Sequence, residues 1–581
     1  MRFGLAGRLA ALPVVALIFA APGSAVVVVV SSLSPVAIEN QRPGTPDWAD
    51  FGMPLDRAIE GYTEPSAVPG GTLTFHVSAK PEADYRIYVY RTGYYGGVGA
   101  RLATCLPSCG ASAHADTEPI PTPSPEGLVH AGWPVGQRLD VPSDWVSGYY
   151  VVFFVLTSGP HQGVAATTWF ILREKPGAQR APILVQASAI TWQAYNGWGG
   201  GSLYEFNSPG GRRAAKIAFD RPYEQPFEQI WELPLVRFLE QNGYDVSYQA
   251  DVDTARDPST LDGRRLVIVA GHGEYWSKEM RDAFEHARDT GTNLAFMGAN
   301  NAYWQVRFED DFQTIVGYKS ATWDPEPNPA LKTVLFRALV PPRDECALMG
   351  IQHQGGPLNW TTDGDYTATD AAATDPWFRD TGFAAGAVVP GIVSREVDTI
   401  PGSGSAADSC GNHLTVLFHR DLGGEYNGNA DAVRYTAPSG AKVFASGSHQ
   451  FAWGLADVPE VDRMRHGLVD PRLQKFVRNM LDDMTAPVVS AQPPKNVGLP
   501  RVAGAPRVGR TLACAPGTWT GTQPLHFAFR WLRDAGLVSG ARLARYRLVR
   551  RDAGRRIACR VRVSNSAGSS DASSLGIRVR R

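Results

Sequence analysis

Arg265-Leu-Val-Ile-Val-Ala-Gly271-His272-Gly273-Glu274-Tyr275-Trp276 is the stretch on which the fold turns. Leu266 to Ala270 is a short, unbroken apolar run, as expected of a strand buried on both faces. It breaks at glycine, beside an imidazole and a carboxylate. In an open α/β sheet such a break marks the carboxyl edge of a strand, where ligands bind. A second stretch repeats the pattern. Ile183-Leu-Val185 leads into Thr191-Trp-Gln-Ala-Tyr195-Asn-Gly-Trp-Gly-Gly-Gly-Ser202-Leu-Tyr204. Tyr195, His272 and Glu274 offer phenolate, imidazole and carboxylate with no cysteine among them, which favours an oxygen-ligated metal over a thiol nucleophile.

Working outward, strands and helices alternate. Phe227–Asn242 has the period of an amphipathic helix, with Gly243 ending it. Tyr244–Tyr248, Leu266–Ala270 and Asn293–Met297 read as strands. Ser277 caps a helix running to Arg288. Lys442–Gly447 is a further strand and Pro471–Met484 a closing helix, while 305–440 is loop-rich and unordered by pattern. The alternation predicts a parallel, doubly wound sheet across 180–484. Upstream, Leu73–Ser78 and Tyr85–Arg91 alternate apolar and polar residues, and Gly148–Leu156 is continuously apolar. With Pro69-Gly-Gly and Gly96-Gly97 marking turns, 36–175 predicts an Ig-like β-sandwich, with 105–135 an irregular insertion. Proline content makes 485–500 a linker. The order Cys514, Trp531, Cys559 makes 501–581 a second, bacterial Ig-like sandwich.

The chain has 581 residues, enough for several cores. Its net charge of −1 hides a split. Residues 501–581 hold 17 Arg, no Lys and 3 Asp, a formal +14, which leaves −15 on the other 500. That basic end suits contact with an anionic envelope polymer or membrane, or simply a solvated Arg-rich surface. Basic motifs interleaved with aromatics are missing, which argues against nucleic acid. Residues 1–30 read as a signal peptide: Arg2 and Arg8 lead an apolar stretch with Gly23-Ser24-Ala25 as a cleavage candidate. Val26 to Val30 prolong the stretch and leave an uncleaved anchor open. Six cysteines behind such a segment predict disulfides, the neighbours Cys105/Cys109, Cys346/Cys410 and Cys514/Cys559 being one set of pairings among many. A secreted or cell-surface location follows. The sequence leaves a homo-oligomer open.

Ile38-Glu-Asn-Gln-Arg-Pro-Gly-Thr, Tyr90-Arg-Thr-Gly-Tyr-Tyr-Gly-Gly, Thr191-Trp-Gln-Ala-Tyr-Asn-Gly-Trp-Gly-Gly, Gly271-His-Gly-Glu-Tyr-Trp-Ser and Gly298-Ala-Asn-Asn occur in an order that resembles the large subunit of N,N-dimethylformamidase, over about Ile38 to Asp482. The resemblance implies a β-sandwich joined to an α/β domain shaped like class I glutamine amidotransferases. It also implies amide hydrolysis at one Fe(III) per chain, held by two tyrosines and a glutamate, with a small amide as substrate. Carried over by position, the metal ligands are Tyr150, Tyr195 and Glu274, with Tyr149 in place of Tyr150 if the register slips by one. His272, Asn300 and Glu396 are the expected catalytic residues: His272 moves the proton, Asn300 donates to the developing oxyanion, and Glu396 is the family's further glutamate. Three features depart from the family. They are the export signal, the C-terminal Ig-like segment, and the lack of any counterpart to the small subunit.

Two phenolates and a carboxylate are hard anionic oxygens that suit ferric iron. Each residue also has a bland reading. Tyr150 fits an apolar strand as a core aromatic, Tyr195 fits packing in a glycine-rich turn, and Glu396 could pair with Arg395. Tyr275, Tyr303 and Trp304 are expected in the pocket wall or core. His413, His419 and His449 read as structural, and His353 is ambiguous. No Gly-x-Ser-x-Gly or Gly-x-Cys-x-Gly elbow and no His-Glu-x-x-His occurs, which sets aside serine hydrolase, glutaminase and zincin schemes. A rival class remains: a non-catalytic surface scaffold that binds glycan or protein through its Ig-like domains.

Overall fold

The structure is a computed structural model that describes residues 33–46, 48–51, 57–223, 231–353, 364–393, 396–401, 408–421, 429–459, 467–486, 493–521, 525–565 and 567–580. The expected signal segment 1–30 lies outside them, as does most of the first turn of the expected 227–242 helix. Two compact units are present, one to Ala486 and one from Pro487. Among the described residues no helix is long and apolar enough to cross a membrane.

In the first unit, Thr72–Ala79 pairs with Ile59–Tyr62 and Gln137–Asp140. Leu73, Phe75 and Val77 point into the core while Thr74 and His76 stay half-exposed, the alternation of a half-buried strand. A second sheet runs in the order Ser66–Ala67, Ala165–Leu172, Gly148–Leu156, Ala83–Thr92, Ala100–Leu106, with Ala113–Ala115 also paired to Ala83–Thr92. These sheets form the predicted sandwich. Its central strand, Gly148–Leu156, is buried along its whole length. Tyr150, Val152, Phe154 and Leu156 fill the sandwich interior. Tyr149, Val151, Phe153 and Val155 pack instead into the large core of the following layer. Both faces are covered, which explains the unbroken apolar run.

That following layer is a nine-stranded sheet in the order Val246–Ala250, Ile183–Ala187, Leu266–Ala270, Asn293–Met297, Lys442–Ala445, Ala430–Thr436, Thr415–Arg420, Gly364–Ala368, Val388–Val393. The first five strands are parallel. The last four run antiparallel. The expectation of a wholly parallel, doubly wound sheet is therefore corrected. The loop-rich 305–440 region supplies these four antiparallel strands and, among the described residues, no long crossover helix, and strands outnumber helices among the described elements. Helices Leu233–Gln241, Asp251–Arg256, Lys278–Asp289 and Pro471–Thr485 accompany the parallel half. Ser277 caps the third, its Oγ accepting from Met280 N–H. The first ends at Gly243, whose φ of 72° needs no Cβ.

A buried ion pair ties the sandwich to this layer. Arg91 donates to Glu240 through both terminal nitrogens, at 2.9 and 2.8 Å, with neither side chain exposed. Tyr248 Oη donates to the same carboxylate at 2.9 Å.

In the second unit, Arg501–Ala503, Thr511–Ala515 and Arg545–Arg547 form one sheet. Gly536–Leu537, His526–Arg533, Arg556–Asn565 and Gly568–Ser573 form another, with Ile577–Arg578 paired to Arg556–Asn565. Trp531, Ile557, Cys559, Val561 and Val563 are its core. The Cys514–Cys559 disulfide links the two sheets, as the Cys, Trp, Cys order predicts. Cys105–Cys109 and Cys346–Cys410 are also bonded.

Candidate active site

Three parallel strands deliver the site from their carboxyl ends. Ile183–Ala187 leads into the short helix Ala189–Ala194, with Tyr195 at its C-cap. Leu266–Ala270 leads to Gly271, His272 and Glu274, and Asn293–Met297 to Gly298 and Asn300. By chain position the parallel strands lie in the order 2-1-3-4-5. The site therefore falls at the topological switch point, the crevice where open α/β sheets bind ligands.

Hydrogen bonds lock the loops together. Glu274 N–H donates to Thr191 Oγ1 at 3.0 Å, fixing the carboxylate loop to the Tyr195 helix. Gly273 N–H donates to Asn301 Oδ1 at 3.0 Å, fixing it to the next loop. Gly271 has φ of 62°. A Cβ on Gly298 would stand 1.7 Å from the Gly271 carbonyl oxygen, so these loops meet backbone to backbone.

Two phenols converge on Glu274. Tyr195 Oη donates to Oε2 at 2.9 Å, and Tyr204 Oη donates to Oε1. The phenolic oxygens are 3.3 Å apart. His272 Nε2 lies 3.4 Å from Glu274 Oε2 and 3.0 Å from Glu396 Oε2. Asn300 Nδ2 donates to Glu396 Oε2 at 2.6 Å, and Asn300 N–H donates to Asp398 Oδ1 at 2.8 Å. The ring of His449 meets that of His272 edge-on, 4.2 Å between centroids. Lys319 Nζ is enclosed by three rings, 3.3 Å from the Tyr204 centroid, 4.8 Å from Trp304 and 4.9 Å from Tyr275. An open cavity of about 580 Å³, lined by Leu203, Tyr204, Glu205, Phe206, Arg213, Trp304 and Lys319, leads to this cluster.

Burial sets the electrostatics. It pushes the Glu274 carboxyl up, with His272 pulling back and Glu396 adding to the rise. Burial also favours the neutral form of Glu396, but His272, then His353 and His449, outweigh it and hold this carboxyl well below the usual range. Glu396 thus stays ionised beside a more easily protonated Glu274, and such divergent environments separate acid from base roles. Burial and then Glu274 push both Tyr195 and Tyr204 well above the ordinary phenol range. Burial pulls Lys319 down to about 7.

Of the six residues expected from sequence, five come together: Tyr195, His272, Glu274, Asn300 and Glu396. Tyr150 does not join them. Its ring stacks on Trp145 and Phe170 inside the sandwich, and its hydroxyl donates to Val146 O at 2.8 Å. The register alternative, Tyr149, donates to Glu232 and is not at Glu274 either. The second phenol at Glu274 is Tyr204. Its signal was the glycine run: Gly199 and Gly201, at φ 80° and 158°, turn the chain so that Tyr204 returns beside Tyr195. One of the two Asn300 amide hydrogens goes to Glu396, so Asn300 holds that carboxylate in place. His449, expected to be structural, lies against His272, and Lys319 carries no sequence signal. Tyr275 is buried and Trp304 lines the wall, as expected.

The model of the "N,N-dimethylformamidase beta subunit-like, C-terminal" family matches residues 86–465. The chain belongs to this family. It is similar to the N,N-dimethylformamidase beta subunit of Alcaligenes sp., at 26% identity over 227 residues, 31% of this chain and 27% of that protein. The match thus spans little more than a quarter of the relative's length. Among solved structures, extracellular domains of Drosophila OTK align at 8% identity over 93% of this chain and 99% of theirs, with a TM-score of 0.12. An I-band fragment of titin aligns at 9% identity over 89% and 97%, also with a TM-score of 0.12. Scores this low carry no argument about the fold, and they lend the glutamine amidotransferase likeness no support. What places the dimethylformamidase-like chain is the family match over residues 86–465.

Proposed function

We propose that this chain is an exported, metal-dependent hydrolase of a small amide, with Tyr195, Tyr204 and Glu274 holding one ferric ion. The observation that carries this reading is the convergence of two phenols on one buried carboxylate, in a member of the dimethylformamidase-like family. The donor set fits the ion: three hard oxygens, together able to supply three negative charges. When bound, the ion supplies Lewis-acid chemistry to the amide carbonyl and to water.

The chain's own residues do the rest. Glu396, held ionised 3.0 Å from His272 Nε2, orients the ring and would stabilise the imidazolium formed when His272 takes a proton. His272 accepts the proton of the attacking water and returns it to the amine nitrogen as the C–N bond breaks, giving acid and amine. Asn300 keeps Glu396 in place from the neighbouring strand end. The aromatic mouth of Tyr204, Phe206 and Trp304 offers apolar walls to a small substrate. Three disulfides suit a secreted or surface location.

Iron content and the visible spectrum of the chain lacking residues 1–30 test the reading, together with amine release from small amides. Near-stoichiometric iron with a phenolate charge-transfer band that weakens in Tyr195→Phe is the expected result. A colourless protein that stays metal-free after ferric reconstitution refutes it.

A further inference from the structure

The arginines of 501–581 are gathered on one sheet face. In the ladder between His526–Arg533 and Arg556–Asn565, Trp531 stands opposite Cys559, and both are buried with Val561, Val563 and Ile557. Alternation therefore sends Arg530, Arg556, Arg560 and Arg562 to the other face. Arg530 lies directly opposite Arg560, and Arg578 directly opposite Arg556. Opposed residues in an antiparallel pair share a face at close range, and like charges there destabilise the sheet. Five guanidinium groups thus share this surface, and the four that stand in opposed like-charged pairs are disfavoured by folding alone. Arg530, Arg556, Arg562 and Arg578 are exposed and Arg560 half-buried.

The same face shows how an anion is held. Asp571 is gripped by Arg562 as a fork, Nε to Oδ1 at 2.7 Å and Nη2 to Oδ2 at 3.1 Å. Planar guanidinium groups match carboxylates in this two-bond manner. Arginines two residues apart on a strand repeat at about 7 Å, and the neighbouring strand adds a second row at about 4.8 Å. Such a lattice suits a chain of carboxylates rather than a single ion. The other outward residues of the ladder, His526, Ala528, Leu532, Ala558 and Ser564, bring no exposed large apolar side chain, and the exposed Leu537 opposite Leu532 is too small an apolar face alone to anchor in a bilayer. They bring no Phe, Tyr or Trp to stack bases either. The Cys514–Cys559 disulfide suits an oxidising compartment, where nucleic acid is not the usual partner.

We propose that this face binds a carboxylate-bearing polysaccharide, independently of any chemistry at Glu274. The test uses the full chain and fluorescein-labelled polygalacturonate, read by anisotropy at about 50 and about 300 mM NaCl, since screening separates ionic from other binding. Neutral dextran, inorganic polyphosphate and phosphatidylglycerol vesicles run alongside. Polygalacturonate binds at low salt and loses about tenfold or more at the higher salt, as multi-site ionic contacts do. The triple variant Arg530→Gln/Arg556→Gln/Arg560→Gln loses about tenfold, while Arg507→Gln/Arg510→Gln/Arg550→Gln, equal in net charge but outside the ladder, loses less than about threefold. Thermal unfolding shows the face triple no less stable than the parent, because it removes opposed like charges. Equal losses in both triples, no loss in either, or binding only to polyphosphate or vesicles would overturn the proposal.

Discussion

Replacing Tyr204 by Phe separates the phenol found at Glu274 from the one carried over by position. In the metal-free protein Tyr204 Oη donates to the Glu274 carboxylate, and that bond counteracts the burial that raises the carboxyl. A hydrogen bond to a charged group contributes about 1.5–3 kcal/mol, so Tyr204→Phe should destabilise the first unit by that amount. Tyr150→Phe removes only a neutral bond to Val146 O, a loss of about 1 kcal/mol. Urea unfolding followed by circular dichroism reads both. After ferric reconstitution the two variants part further. Tyr204→Phe should lose much of the phenolate band and of the bound iron, whereas Tyr150→Phe should keep both. The reasoning fails if Tyr204→Phe unfolds with the parent and keeps its band while Tyr150→Phe bleaches.

Three further outcomes can be checked. Glu240→Ala strands the Arg91 guanidinium in the core and should cost about 3–5 kcal/mol in urea, while Arg91→Met/Glu240→Leu recovers most of it; a single-variant cost under about 1 kcal/mol would mean the pair is hydrated. Burial alone would raise the Asp324 carboxyl, but bonds from Arg307 and from Thr333 N–H and Oγ1 outweigh it and hold it well below the usual range. Its stabilisation is thus present above the unfolded carboxyl value of about 4 and fades as pH falls through the folded one, so the stability gap to Asp324→Asn should be flat from about pH 8 to 5 and shrink below about pH 4. Cys514→Ala/Cys559→Ala opens a link between residues 45 apart and should lower stability of the second unit by about 4 kcal/mol, read as an earlier Trp531 fluorescence transition.

Much of the scaffold could be read from residues. Leu266–Ala270 and Asn293–Met297 form strands over the predicted ranges, because a run of five or four apolar residues closed by glycine allows little else. The cap at Ser277 followed from local chemistry, while the three cysteine pairs were one set among many that sequence left open. What escaped has identifiable causes. A strand buried on both faces hides which tyrosine points where, so Tyr149 and Tyr150 look alike until the neighbouring layer is in place. The antiparallel strands from 364 to 436 are short, and a register irregularity between Val416 and Phe418 breaks their period. His449 and Lys319 reach the site from segments far from its motifs, through sheet order rather than spacing.

The Gly298–Gly271 contact sets a limit on how this site can diversify. Any side chain at 298 must drive apart the two strand ends that carry His272 and Asn300, so the reacting geometry is fixed in main-chain atoms and is closed to gradual adjustment. The mouth has no such constraint, since Phe206 is exposed and Arg213 and Trp304 are only half-buried where they line it. A mutational library at the mouth should yield members with altered substrate preference. A library at 271 and 298 should return the parent residues or nothing, which makes the pair a marker for telling working relatives from collapsed ones.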